Sequence, residues 1–191
     1  MKKIELLREA VQNLYKQSLP DRDEWADWLY DNHVLWVAKM SRKLAEKYDA
    51  DADLAEAAAL LHDIADAKMP RRNDAHEEVS LGIARELLTN CGFDQNEITL
   101  VVDDAARYHS CHNGEKPESK EGLVLATADA MAHFQTGFYI YAVRNMTTKN
   151  LDEVTQWVLA KLERDYNKKI FFEDERKEVK PAYETLRTIF S

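Results

Sequence analysis

Apolar residues recur at three- and four-residue spacing along most of the chain, and no segment alternates apolar with polar for long enough to build a half-buried strand. Residues 3–17 place Ile4, Leu7, Val11 and Leu14 on one helical face, and Pro20 with Asp21 breaks the pattern. From Asp23 to Tyr48 a longer helical stretch follows, with a bend expected near Asp31 and Asn32; Trp25, Trp28 and Leu29 precede it, and Val37, Met40 and Leu44 come after. His33 shares the face of those last three and therefore points inward. Asp51 and Asp53 offer a cap and negative charge to the next helix, an Ala-rich run that carries the chain to Leu60-Leu61-His62-Asp63-Ile64-Ala65-Asp66 and stops before Met69-Pro70.

A helix over about 75–90 follows, aligning His76, Val79, Ile83 and Leu87, with Asp74 and Glu77 close to a capping box and Gly92 as its stop. Asp94 and Glu97 open the next, about 95–110, where Ile98, Val102, Ala105 and His109 share a face. Residues 110–120 form the one clear loop, with a turn at Asn113-Gly114. Residues 121–135 then make a strongly apolar helix with Asp129 in its middle. Phe138-Tyr139-Ile140-Tyr141 reads as helix packing leading to Arg144. Asn150 with Glu153 caps a helix carrying Val154, Trp157, Val158 and Leu162, and a final helix over about 174–190 presents Val179, Tyr183, Leu186 and Phe190; both read as scaffold. The expected fold is all-α, one compact helical bundle spanning residues 1–191.

Composition agrees with that fold class. At 191 residues the chain suits one well-buried core, and five Gly and four Pro are few. A formal charge of −9 argues against binding long nucleic acid, which needs a basic face for counterion release. A small anionic substrate stays compatible with it, because a bound metal and a few local cations reverse the field inside a cleft. The start of the chain has no apolar leader segment, and no run approaches the 18 or so apolar residues that span a bilayer, so no membrane association is expected. Cys91 and Cys111 stand apart with no Cys-x-x-Cys pattern, which signals neither a disulfide framework nor a thiolate zinc site and fits a reducing cytoplasm.

The chemistry centres on His62-Asp63. Both residue types ligate metals, but adjacent helical positions diverge by about 100°, so both reach one ion only near a helix end. Asp129 adds a carboxylate among Ala, Leu and Met, and an unpaired buried carboxylate costs several kcal/mol, which makes metal coordination the economical explanation. His33, His76 and His109 complete a set of inward-facing ligands drawn from separate helices. Lys68, Arg71 and Arg72 form a short basic loop directly after the pair. His112 reads as a surface histidine and His133 as one at the edge of the core, with a place in the site left open for each.

The order of a histidine, a His-Asp pair within an apolar helix and a distant aspartate resembles the HD-domain metal-dependent phosphohydrolase superfamily, over roughly residues 25–135. The resemblance implies one metal held by His33, His62, Asp63 and Asp129. Members with a binuclear centre add two histidines, which here would be His76 and His109, with Asp63 bridging. Residues 76–82 and Arg107-Tyr108-His109-Ser110 look like the corresponding segments of small HD hydrolases, including the bacterial diadenosine tetraphosphate hydrolase branch. This chain departs from that branch in carrying Asp66 where a lysine is usual, with Lys68 two places on, and it lacks the Gly-Tyr-Pro signature of cyclic dinucleotide phosphodiesterases.

One or two divalent transition ions, iron, manganese, nickel or zinc, suit such ligands, and they lower the pKa of bound water toward 7 to supply a hydroxide. Asp63 would bridge the ions or orient the nucleophile, with Lys68, Arg71 or Arg107 neutralising phosphate oxygens. The expected activity is hydrolysis of a phosphate ester or anhydride of a small phosphorylated molecule, a nucleotide in the leading reading. Scaffolds with six such ligands also resemble the di-iron inositol oxygenases, and a metal-binding regulatory module without turnover is a third class. A homo-oligomer is left open.

Overall fold

Helix α1, Lys3–Tyr15, buries Ile4, Leu7, Val11 and Leu14 as its periodicity demands. A computed structural model describes residues 2–146 and 149–191. The long second stretch is not continuous. It divides into α2, Ala26–Leu29, a π-helical turn at Tyr30–Val34 where the bend was expected, and α3, Leu35–Lys47. Asp51 accepts from the backbone N–H groups of Asp53 and Leu54 and so opens α4, Ala52–Leu61.

Helix α4 ends before His62 and Asp63, and a 3₁₀ turn at Ile64–Ala67 leads into the basic loop. Helix α5, His76–Asn90, lacks the expected capping box. Its N-terminus has no side-chain cap, and Asn73 instead accepts from the Ala75 N–H in the preceding turn. Gly92, at φ +83°, supplies the left-handed residue beyond its end. The box of Asp94 and Glu97 does form and opens α6, Gln95–Ile98, but π-helical geometry takes over at Thr99–Ala106.

Helices α7, Lys120–Gln135, and α8, Phe138–Arg144, follow the loop. Helix α9, Leu151–Arg164, starts at an Asn150–Glu153 capping box and runs into a third π turn, Asp165–Lys169, before α10, Glu173–Ile189. No strand occurs among the described residues, so the fold is all-α as expected.

Helices α3, α4 and α7 pack most extensively against one another and form the centre of a continuous apolar cluster. Helix α7 is buried almost all round from Val124 to Phe134, which places Asp129 deep inside. Loop 110–120 is tied down by Asp104, which accepts from the backbone of Glu118 at 2.8 Å and of Ser119 at 2.9 Å. Among the described residues, no helix is long and apolar enough to cross a membrane. Both cysteines are buried free thiols.

Candidate metal centre and its cavity

His62 keeps helical geometry at the end of α4 (φ −56°, ψ −34°), and Asp63 leaves it (φ −130°, ψ 34°). That departure removes the divergence two helical neighbours would show, and Asp63 Oδ2 comes to 3.5 Å from His62 Nε2. The first π turn delivers His33, whose Nε2 lies 3.0 Å from Asp129 Oδ1. His62 Nε2 lies 3.8 Å from the same oxygen. His33, His62 and Asp129 thus present ligand atoms all within 4.8 Å of one another, and His62, Asp63 and His109 make a second such set that shares His62.

The ring tautomers follow from the backbone. Nδ1–H of His62 donates to the Ala59 carbonyl at 2.7 Å, and Nδ1–H of His109 donates to that of Ala106 at 2.6 Å. A carbonyl only accepts, so each proton sits on Nδ1 and each Nε2 carries a lone pair, the arrangement usual for metal-binding histidines. Among the described residues, Nε2 of His62 and Nδ1 of His33 are buried without any hydrogen-bond partner, and His33 Nε2 meets only the Asp129 carboxylate. Stranding a buried polar atom costs about 1–3 kcal/mol. Unpaired imidazole nitrogens beside two carboxylates are the donor set that borderline divalent ions prefer, so these residues fit a metal.

Electrostatics keep the groups in their ligating forms. Burial holds the His33 ring below its ordinary range, His109 at about 4 and His133 at about 3, so all three are neutral at pH 7. Burial pushes the Asp129 carboxyl up, but His133 and Lys169 outweigh it and hold Asp129 well below the usual range. At Asp63 the same upward push of burial is overcome by Arg71, with help from His62. The Arg71 guanidinium contacts both Asp63 and Asp66, and the Lys169 ammonium contacts Asp129.

These groups face a cavity of about 720 Å³. His62, Asp63, His76, His109 and Asp129 line it, and so do Arg71 and Arg107. His33 lies behind them, fully buried. His76 Nε2 is held by Asp66 and belongs to neither close ligand set. Lys68 is exposed and does not reach the cavity, because the 3₁₀ turn that ends at Ala67 leaves it facing out. Arg107 donates to Glu78 at 2.9 Å. His112 is exposed yet lines the cavity rim beside Arg164, and His133 is buried, with Nε2 3.4 Å from Asp129 Oδ1 and Nδ1 2.9 Å from Asp165 Oδ2. Phe138, read as packing, packs its ring 4.0 Å from that of His133 and also lines the cavity.

The sequence reading missed Asp66, Lys161, Arg164, Asp165 and Lys169, and it took the last helices for scaffold alone. A signal was present along α9 and into the π turn that follows: Lys161 and Asp165 continue the spacing of Val154 and Val158, so a cation and an acid extend an apolar face.

An all-helical fold that brings histidines and aspartates from separate helices to one buried point defines a metal-centre protein of the His-Asp type. The family model described as HD domain matches residues 30–133, and the chain belongs to that family. Among curated proteins it is 37% identical over 136 residues to YpgQ, an uncharacterized protein of Bacillus subtilis, covering 69% of this chain and 60% of that one. It is 31% identical over 125 residues to a deoxyguanosinetriphosphate triphosphohydrolase-like protein of Caldanaerobacter subterraneus, covering 60% of this chain and 35% of that one. It is 28% identical over 124 residues to ribonuclease Y of a Sulfurovum species, covering 64% of this chain but only 22% of the relative. The chain therefore spans about a fifth to three fifths of the length of these relatives. No solved structure matches.

Proposed function

We propose that the protein is a metal-dependent phosphohydrolase that cleaves a phosphate ester or anhydride of a small phosphorylated molecule, with a nucleotide as the leading substrate class. The observation that carries this reading is the set of unpartnered buried nitrogens on His33 and His62 beside Asp63 and Asp129, next to a cavity lined by Arg71 and Arg107. Membership of the HD-domain family and the likeness to a triphosphohydrolase-like protein support it.

His33, His62, Asp63 and Asp129 would hold one divalent transition ion, and His109, with His76 once freed from Asp66, would hold a second, with Asp63 available as a ligand to either. A bound ion of this kind supplies Lewis acidity and acidifies water. The Nδ1–H bonds to Ala59 and Ala106 hold the His62 and His109 rings in orientation. Arg71 brings a guanidinium to the cavity wall beside Asp63, where its planar fork would match phosphate oxygens. Arg107 also lines the cavity. Lys68, exposed outside the cavity, is left without a role in this reading.

The test is a screen of nucleotides and other phosphorylated metabolites with the manganese- or iron-reconstituted protein, scored by phosphate or pyrophosphate release with and without oxygen. Release independent of oxygen is expected. Oxygen-dependent product formation would establish the oxygenase reading instead, and no turnover by metal-loaded protein would leave a regulatory module.

A further inference from the structure

The C-terminal third adds three cations to the cavity, Lys161 and Arg164 from α9 and Lys169 from the π turn that follows. All lie beyond the residues that match the family model. Lys161 and Lys169 are only 9% and 2% exposed. Burying an ammonium costs several kcal/mol unless anions compensate it, so the acids around these cations matter.

Two carboxylates face them. Lys161 Nζ lies 3.2 Å from Asp165 Oδ2, Arg164 Nε lies 3.9 Å from Asp165 Oδ1, and Lys169 contacts Asp129. Asp165 is already engaged by His133 Nδ1 at 2.9 Å and by the Tyr139 hydroxyl at 3.1 Å. Arg164 Nη1 meets the ring nitrogens of His112 at 3.2 Å, while its Nε is buried with no hydrogen-bond partner among the described residues. Three cations therefore share two acids, and one of those acids, Asp129, is a candidate metal ligand. With Asp129 committed to an ion, only Asp165 remains to balance all three. Burial together with the neighbouring positive charge brings the Lys161 ammonium down to about 8 even with Asp165 beside it.

We propose that Lys161, Arg164 and Lys169 form an anion subsite that holds a second phosphate of the substrate, next to the one presented at Asp63 and Asp129. Lys169 touches Asp129, so the subsite adjoins the candidate centre directly. Arg72, whose guanidinium donates to the Asn145 carbonyl at 3.2 Å, lines the same cavity and extends the cationic wall. Such a wall suits a chain of linked phosphates and is poorly matched by a monoester. The inference rests on the hydrolase reading for turnover but not for binding.

Calorimetric titration of the purified protein with inorganic tripolyphosphate and with orthophosphate tests the binding. Tripolyphosphate is expected to bind at least about tenfold more tightly, a difference of about 1.4 kcal/mol, and Arg164→Gln and Lys161→Met are expected to remove most of that margin. Lys161→Arg should retain it. Arg164 is partly exposed, so Arg164→Gln decides the matter if circular dichroism shows that Lys161→Met fails to fold. In steady-state assays the ratio of kcat/KM for a nucleoside triphosphate over its monophosphate should fall by a similar factor in Arg164→Gln. Equal binding of the two probes, or an unchanged margin in Arg164→Gln, overturns the subsite even if phosphoesters are hydrolysed. Selective tripolyphosphate binding without hydrolysis of any substrate supports the subsite and counts against the hydrolase reading alone.

Discussion

His76 Nε2 lies 2.8 Å from Asp66 Oδ1, and the other oxygen of that carboxylate takes the Arg71 guanidinium. Against the downward pull of burial, the bond to Asp66 and the charges of Asp63 and Asp66 raise the His76 ring above its ordinary range. One buried acid thus ties the first residue of α5 to the basic loop and, through Arg71, to Asp63. Replacing Asp66 with Asn leaves a buried network short of its charge, and a loss of about 3 kcal/mol of stability is expected. Urea unfolding reads this directly. A loss within about 0.5 kcal/mol would mean that the network contributes nothing beyond an ordinary surface contact.

Asp63→Ala should remove most bound metal and nearly all phosphohydrolase activity while preserving the helical circular dichroism. Asp63 lies beyond the last turn of α4, so truncating it disturbs no helix hydrogen bond. Elemental analysis of the variant checks the assignment, and undiminished metal would exclude Asp63 as a ligand.

Metal stoichiometry separates one ion from two. Wild-type protein reconstituted with manganese or iron should hold about two ions, and His109→Ala or His76→Ala should each lower the content toward one, since a catalytic position needs about three protein ligands. His76 must leave Asp66 to serve, so its substitution should cost stability as well. A single ion in the reconstituted wild type would rule out the binuclear arrangement.

The pH dependence has a defined sign. His133 and His109 take up protons at about 3 and about 4 in the folded chain, but near 6.5 when unfolded. Between those values the unfolded state binds more protons, so stability is fully present above about pH 6.5 and falls as the pH drops toward 4. Asp63 and Asp129, held below the usual carboxylate range, extend the loss to lower pH. His76 acts the other way: its contribution is present below about 6.5 and is lost as pH rises through its raised folded value. Differential scanning calorimetry of the chelator-treated protein should show the midpoint falling from pH 6.5 to 4.5. A flat profile there would contradict neutral buried rings.

Much of this architecture was legible as periodicity. The apolar face of α1 follows three- and four-residue spacing, and Asp51, Asp94 and Asn150 cap as their residue types suggest, whereas α5 buries Ser80, Leu81, Ala84 and Leu88 beside His76 and leaves the expected Val79, Ile83 and Leu87 half-buried, and α7 is apolar almost all round. The convergence of His33, His62, Asp63, His109 and Asp129 was legible too, because each lies on an apolar face or at a helix end. Lys68 and Asp66 show where local reading stops. Both lie in or just after one 3₁₀ turn, and only the path of the backbone decides that the acid turns inward and the amine outward. Lys161 and Asp165 escaped because charge normally marks a solvated face, whereas here each makes the other's burial tolerable.

The π turn at Tyr30–Val34 carries a consequence for chain length. A π turn accommodates one residue more than the α-helix it interrupts, and each residue advances a helix by about 100°. Removing one residue from this turn would let α2 and α3 join as a regular helix with few backbone hydrogen bonds lost. It would also swing His33 away from Asp129, so the shorter protein would keep its fold and lose a donor from its innermost site. A single added residue is thus what separates a plain core helix from one that delivers an imidazole.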